Sequence, residues 1–382
     1  MYNIGTLNKI SPVGLAHLSD KYTVVDDVNS ANGILVRSQD MHEMDFSEYL
    51  MSIARAGAGV NNIPLDVCAD KGIVVFNTPG ANANAVKELV LAGMLMSARN
   101  VPAAIKWAST LEGEDEAAKK VEKGKGQFAG TEIKGKTLGV FGLGAIGALV
   151  ANAACDLGMN VIGYDAFFTT KSALSLYPCI KVVDDPKDML PECDYVTIHV
   201  PAMDSTKGMF NKDMFAMMKD GVTLLNYSRD KLVNEADLLE ALASGKLGKY
   251  ATDFVTDGIM GKEGVMYTPH LGASTEEAED NCATMAVAET MDFIENGNVR
   301  NSVNFPAANL GPIAGDTRIC VMTKGIENPV DTVTKKMLGG ITVNAIAGGA
   351  RGDYGYVLVS TSDSVSSLPE TAGVVKVRVI QG

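Results

Sequence analysis

Over about the first 300 positions, short runs of β-branched and aliphatic residues alternate with amphipathic or alanine-rich stretches. TVVDD, GILVRS, IVVFNTP, TLGVFG, NVIGYD, YVTIHV, VTLLNYS and YATDF read as strands. Strands interleaved with helices in this way predict parallel sheets covered on both faces, an α/β fold. Ser274 and Glu277 have the spacing of a capping box, so the pattern predicts a helix from there to about Asn296. The polar stretch from Leu111 to Gly126 reads as a surface connection, an exposed helix or a loop, near a domain boundary. A Gly-, Asn- and Pro-rich segment after Asn296 reads as a linker. From about Thr317 the rhythm changes. RICVMT, ITVNAIAG, GYVLVST and VVKVRVI read as strands, with VDTVTKKML and SLPETA as helices between them. That order, βαββαβ, is a ferredoxin-like unit.

A chain of 382 residues exceeds what one core usually organises, so two or three domains are expected. The net charge of −13 argues against nucleic acid or an anionic membrane as partner, and an anionic substrate would need local cations to overcome it. MYNIGTLNKI lacks the shape of a signal peptide, and no apolar run approaches the length of a membrane span. The six cysteines form no C-x-x-C pair, which points to free thiols, no metal site and a cytoplasmic location.

Leu138 to Asp165 is the most informative stretch. A strand leads into Gly142-Leu143-Gly144-Ala145-Ile146-Gly147, then a helical run to Leu157, then a second strand ending in Asp165. Gly142 permits the tight turn, Gly144 lets a pyrophosphate approach, and Gly147 lets helix and strand pack closely. The helix start adds free N–H groups and a partial positive charge. Asp165 accepts from an adenosine ribose and repels a 2′-phosphate, which favours NAD over NADP.

Proton transfer to accompany a hydride needs a base, and only His17, His42, His199 and His270 are available. His270 ends one strand-like run and Arg229 follows another, so both belong at the carboxyl ends of strands, where open α/β sheets bind ligands. Position alone leaves open a helix-capping histidine and a surface arginine.

With ARAGAGVNNI, NTPGANANAVKE, GLGAIG, IHVPAMDSTKG, LLNYSRDKLVNEADLLEAL and TPHLGASTEEAEDN, the chain resembles the D-isomer-specific 2-hydroxyacid dehydrogenases over essentially its whole length. The resemblance implies a Rossmann-type nucleotide domain (99–285) inserted in a flavodoxin-like substrate domain (1–98 and 286–305), a linker (306–316) and a C-terminal unit (317–382). It implies that Arg229 binds a substrate carboxylate and His270 is the general acid/base. Thr78, Ala145, Ile146, Asp165, Val200, Pro201, Tyr227, Ser228, Asp253, Gly272 and Ala273 would line an NAD site beside Gly142, Gly144 and Gly147. It also implies a homodimer or homotetramer acting on a small anionic 2-hydroxy acid.

One departure concerns the acid that orients the histidine. The family carries a glutamate five positions after the residue matched by Asp253; here that position is Gly258, and Asp257 before it is the replacement expected to serve. For a phosphorylated substrate, Arg55 with the backbone N–H groups of Gly57, Ala58, Gly59 and Val60 is the expected phosphate site, with Arg37 and Ser38 a second pair and Lys231 an added charge. The C-terminal unit resembles an ACT domain through IENPVDTV, DYGYVLVST and ETAGVVKVRVI. Asn328 matches a serine-binding asparagine, but Ile326 and Val330 replace the usual histidine and glycine, so a structural role is as well supported as effector binding. Two alternatives remain: a reductase of hydroxypyruvate or glyoxylate, and a non-catalytic NAD(H)-sensing protein.

Overall fold

A computed structural model describes residues 1–382, the side chain of Lys171 excepted. The chain divides into two compact units, Met1–Asn82 with Glu276–Gly382, and Ala83–Thr275. The expected boundaries at 98/99 and 285/286 therefore move. The helix after Asn82 belongs to the nucleotide unit, and the helix from Glu276 belongs wholly to the other.

The first unit opens with β1 (Tyr2–Leu7), α1 (Pro12–Leu15), β2 (Tyr22–Val25), β3 (Gly33–Val36), β4 (Ser52–Arg55), α2 (Leu65–Asp70) and β5 (Val74–Asn77). The strands form a parallel sheet of order β2-β1-β3-β4-β5, the flavodoxin-like arrangement expected. β3 is buried at every position, as apolar runs covered on both faces require.

The second unit contains α3 (Ala83–Arg99), α4 (Val101–Ser109), α5 (Ala117–Gly124), β6 (Thr137–Phe141), α6 (Ala145–Asp156), β7 (Asn160–Tyr164), α7 (Thr170–Leu174), β8 (Lys181–Val183), β9 (Tyr195–Ile198), α8 (Lys212–Met217), β10 (Val222–Asn226), α9 (Glu235–Ala243), β11 (Leu247–Thr252) and β12 (Val265–Tyr267). Its sheet is parallel with order β12-β11-β10-β9-β6-β7-β8. Read from β8, this is the Rossmann order with one strand added, and the order reverses between β6 and β9. The polar stretch from Leu111 contains α5, which has no buried residue.

The chain then returns to the first unit with α10 (Glu276–Asn296), β13 (Thr317–Lys324), α11 (Pro329–Lys336), β14 (Ala345–Arg351), β15 (Tyr354–Thr361) and β16 (Val374–Gln381). The expected capping box does not form as written: α10 starts at Glu276, and the Ser274 hydroxyl turns back toward the carbonyl of His270 at 3.5 Å. The last four strands pair antiparallel in the order β14-β15-β13-β16, the ferredoxin-like order. The second helix of the βαββαβ expectation is not formed. Residues 362–373 are turns and bends, a serine-rich segment in which Pro369 lacks an N–H to donate. Val365 is buried among Ile319, Val321, Val357 and Val359, so it covers part of the face a helix would have covered. Asn328 is the N-cap of α11, its side chain accepting from the Asp331 N–H at 3.2 Å.

The other face of this sheet is not free. Cys320, Met322, Tyr356 and Leu358 share one core with Phe76, Phe293 and Phe305. The stretch expected to be a linker is pinned as well. Val299 and Ala308 exchange backbone hydrogen bonds of 2.7 and 2.9 Å, and Asn298 and Asn296 accept from the N–H groups of Leu310 and Ile313 at 3.0 and 2.9 Å. Among the described residues no helix is long and apolar enough to cross a membrane, and no cluster of His, Cys, Asp and Glu suits a metal ion.

α10 buries a carboxyl. Glu289 is 7% exposed; one oxygen accepts from the Asn301 side-chain N–H at 2.5 Å, and the other has no partner. Burial pushes its pKa from 4.5 up to about 7. The folded state therefore holds this proton more tightly than the unfolded chain, and the resulting stability is complete below pH 4.5 and lost as pH rises through 7. The loss is on the order of 3 kcal/mol. Glu289→Gln should flatten this slope and melt at a higher temperature than the parent at pH 8, as checked by thermal unfolding across pH.

Candidate active site

The phosphate-binding loop is built by backbone constraints. Gly142 follows β6 with φ +98°, and a Cβ there would lie 2.7 Å from the carbonyl oxygen of His199. A Cβ on Gly147 would lie 1.8 Å from the carbonyl oxygen of Gly142. Gly144, the residue before α6, faces open space instead, with no atom within 4 Å of an added Cβ. Two glycines thus fold the loop, and the third leaves room for a ligand at the helix N-terminus. Asp165, just after β7, accepts from the Leu143 N–H and the Phe167 N–H, each at 2.8 Å. Its carboxylate is held against the glycine loop.

The remaining positions follow the carboxyl ends of neighbouring strands. Val200 and Pro201 come after β9, and the Val200 carbonyl accepts from the Ser228 hydroxyl at 2.7 Å. Tyr227 is buried in the core, with its hydroxyl where a Cβ on Gly93 would be, so only its backbone is left to line the crevice. Asp253 follows β11 and is 1% exposed. One carboxylate oxygen accepts from the Gly272 N–H at 2.9 Å; the other is buried without a partner. Burial holds this carboxyl's pKa above the ordinary carboxylate value, with the Gly272 N–H bond opposing it in part. An orphaned buried acceptor after β11, an open glycine turn after β6 and a loop-bound aspartate after β7, all at the carboxyl ends of one sheet, fit an extended dinucleotide with amide and hydroxyl donors.

Arg229 and His270 meet across a phenylalanine. The Arg229 guanidinium carbon lies 6.0 Å from the centre of the Phe254 ring, and the His270 ring lies 4.5 Å from it. The Arg229 side chain donates to the Ser228 carbonyl at 2.6 Å, and its backbone carbonyl accepts from the Asn226 side chain at 2.8 Å. Asn226 also accepts from the Ser228 N–H at 3.2 Å, so one buried amide braces the turn that aims the arginine. His270 is exposed. His199 is no rival: burial pushes its pKa down to about 3, and it stays neutral beneath the glycine loop with Thr197 at 2.9 Å. Asp257 is exposed in a turn and makes no hydrogen bond or ion pair among the described residues. The space at Gly258 is filled by Glu235, whose carboxylate would lie 1.8 Å from a Cβ there and accepts from Thr256 at 2.5 Å.

The first unit carries the other expected positions. The Arg55 Nε donates to the Arg37 carbonyl at 3.0 Å, and its guanidinium lies across Gly57, whose φ is +148°. Arg37 pairs with Glu279 at 2.7 Å, which neutralises it, and Ser38 is exposed with its N–H on Asn8. Thr78 is buried after β5.

Residues 91–272 match the profile of the D-isomer specific 2-hydroxyacid dehydrogenase, NAD binding domain. Residues 91–272 are thus similar to the NAD-binding domain of that family. It is 35% identical over 323 residues to a D-3-phosphoglycerate dehydrogenase of Methanocaldococcus jannaschii, an alignment covering 81% of this chain and 59% of that protein. The human D-3-phosphoglycerate dehydrogenase is 35% identical over 75% of this chain and 53% of its own length. The chain thus spans little more than half the length of these curated relatives. Among solved structures, an NAD-bound 3-phosphoglycerate dehydrogenase of Entamoeba histolytica is 27% identical with a TM-score of 0.62, covering 79% of this chain and 98% of that one.

Within residues 91–272, Asn226 and Phe254 are the residues that sequence reasoning passed over. A polar residue closing the apolar run VTLLN is the one signal that pointed to the first; nothing local pointed to the second. Asp165→Ala should weaken NADH binding about 10- to 100-fold, the value of one or two hydrogen bonds to a charged acceptor. It should also narrow the preference for NADH over NADPH, measured by fluorescence titration with each. An unchanged preference removes the ribose from its role.

Proposed function

We propose that this chain oxidises D-3-phosphoglycerate to 3-phosphohydroxypyruvate with NAD, the entry step of serine synthesis. The observation that carries the reading is the placing of Arg229 and His270 on one phenylalanine ring at the carboxyl edge of a Rossmann sheet. The names of the 35% identical relatives support the substrate. NAD, when bound, supplies the hydride acceptor. The Arg229 guanidinium holds the substrate carboxylate, and the His270 imidazole takes the proton from the 2-hydroxyl. A phosphate requires a further cation, and we assign that role to Arg55 with the N–H groups from Gly57 to Val60, as the family resemblance implies.

Asp257 is the acid we assign to His270, on the position the family resemblance gives it and because it makes no hydrogen bond or ion pair among the described residues. Asp257→Asn should therefore reduce kcat for oxidation while leaving NADH affinity nearly unchanged, as checked by steady-state kinetics and NADH titration. We further assign a homodimer or homotetramer, supported by the exposed Leu95, Ile105 and Leu149 on α3, α4 and α6, and a cytoplasmic location. Following NADH absorbance with 3-phosphohydroxypyruvate, hydroxypyruvate and glyoxylate in turn tests the function. Preference for either unphosphorylated acid favours a reductase, and NADH binding without turnover on any of them favours a sensor.

A further inference from the structure

We infer that Cys155 and Cys179 are a reversible dithiol site, closing an intramolecular disulfide when the protein meets a low-molecular-weight disulfide. The two sulfurs lie 3.4 Å apart, although the residues are 24 positions apart in sequence. Bonding distance requires an approach of roughly 1.4 Å. This proximity is built. The segment after α7 is seated on one face of α6 by residues at helical spacing: the Asn152 side chain donates to the Ser175 carbonyl at 2.8 Å and accepts from the Tyr177 N–H at 2.9 Å. One turn on, the Tyr177 hydroxyl reaches Asp156 at 3.4 Å. Cys155 lies between these anchors, and Cys179 is delivered to it.

The two thiols differ in the way exchange needs. Cys179 is exposed and Cys155 half-buried, while Cys68, Cys193, Cys282 and Cys320 are buried. Burial pushes the Cys155 thiol up to about 12, with Cys179 adding to the shift, so Cys179 is the point of entry. Its thiolate attacks a reagent RSSR, forming a bond to one sulfur and expelling RS⁻, which takes a proton. Cys155, losing its proton to solvent, then attacks the Cys179 sulfur and expels the second RS⁻. Two protein thiols are oxidised, and one disulfide is reduced to two molecules of RSH. The closed loop contains β7 and Asp165, so the bond staples the adenosine side of the sheet to the phosphate-binding helix.

The test incubates the full chain with excess glutathione disulfide, alkylates remaining thiols under denaturing conditions and maps the peptides. Expected are a peptide linking Cys155 to Cys179, loss of two alkylatable thiols, a melting temperature raised by several degrees, and reversal by dithiothreitol. Cys155→Ser should instead trap glutathione on Cys179, and Cys179→Ser should leave Cys155 free. The inference falls if the unmutated chain carries glutathione on Cys179 with Cys155 still alkylatable, if Cys179 links two chains, or if neither thiol reacts.

Discussion

His270→Ala should lower kcat by roughly 100- to 10,000-fold, the range general acid/base assistance contributes. The imidazole is exposed and lies against the edge of the site on Phe254, so its loss leaves no cavity in the core. Stability should stay within about 0.5 kcal/mol of the parent, as for other surface replacements. NADH affinity should be nearly unchanged, because the open glycine loop, Asp165 and Asp253 are untouched. With the imidazole gone, the residual rate should climb with pH as hydroxide substitutes for the base. Single-turnover hydride transfer, NADH titration and melting separate these effects. A variant that retains more than about a tenth of the parental rate removes His270 from proton transfer.

Gly147→Ala should damage the cofactor site through the backbone. The added methyl would sit 1.8 Å from the Gly142 carbonyl oxygen, which no rotamer can relieve. Either α6 moves off the strand or the turn at Gly142 opens, and overpacking of this kind costs about 1–3 kcal/mol. NADH affinity should fall about 10- to 100-fold, together with the melting temperature. Gly144→Ala provides the contrast. Its Cβ meets nothing in the protein, so melting should hold while NADH affinity drops, because the methyl occupies space the pyrophosphate needs. Equal melting losses in both variants contradict this division of labour.

The Rossmann half was the most legible part of the sequence. Its glycine spacing encodes steric necessities, each of which appears as a short distance or an empty space in the loop. Asp165 was legible for the same reason, being fixed by the strand that ends beside it. Features decided by tertiary packing were not legible. Ser274 satisfies the capping-box spacing, yet its hydroxyl faces His270 because the turn there is set by the preceding strand. SLPETA has helix formers and a well-placed proline, but Val365 and the serines around it lie down as an irregular cover. The unit boundaries missed by ten or more positions because helix periodicity does not reveal which core a helix joins. Phe254 carries no local signal. Its importance arises only where two strand ends converge.

The core that Cys320, Met322, Tyr356 and Leu358 share with Phe76, Phe293 and Phe305 limits what the C-terminal sheet can do as a module. A sensor on a flexible tether can swing, swap partners or be cut away with little harm to its host. Here excision would strip aromatic rings of their covering and leave Phe293, on α10, facing water. The tail is joined to its neighbour as a keystone is to an arch, and any signal it carried would have to arrive as strain in that common interior.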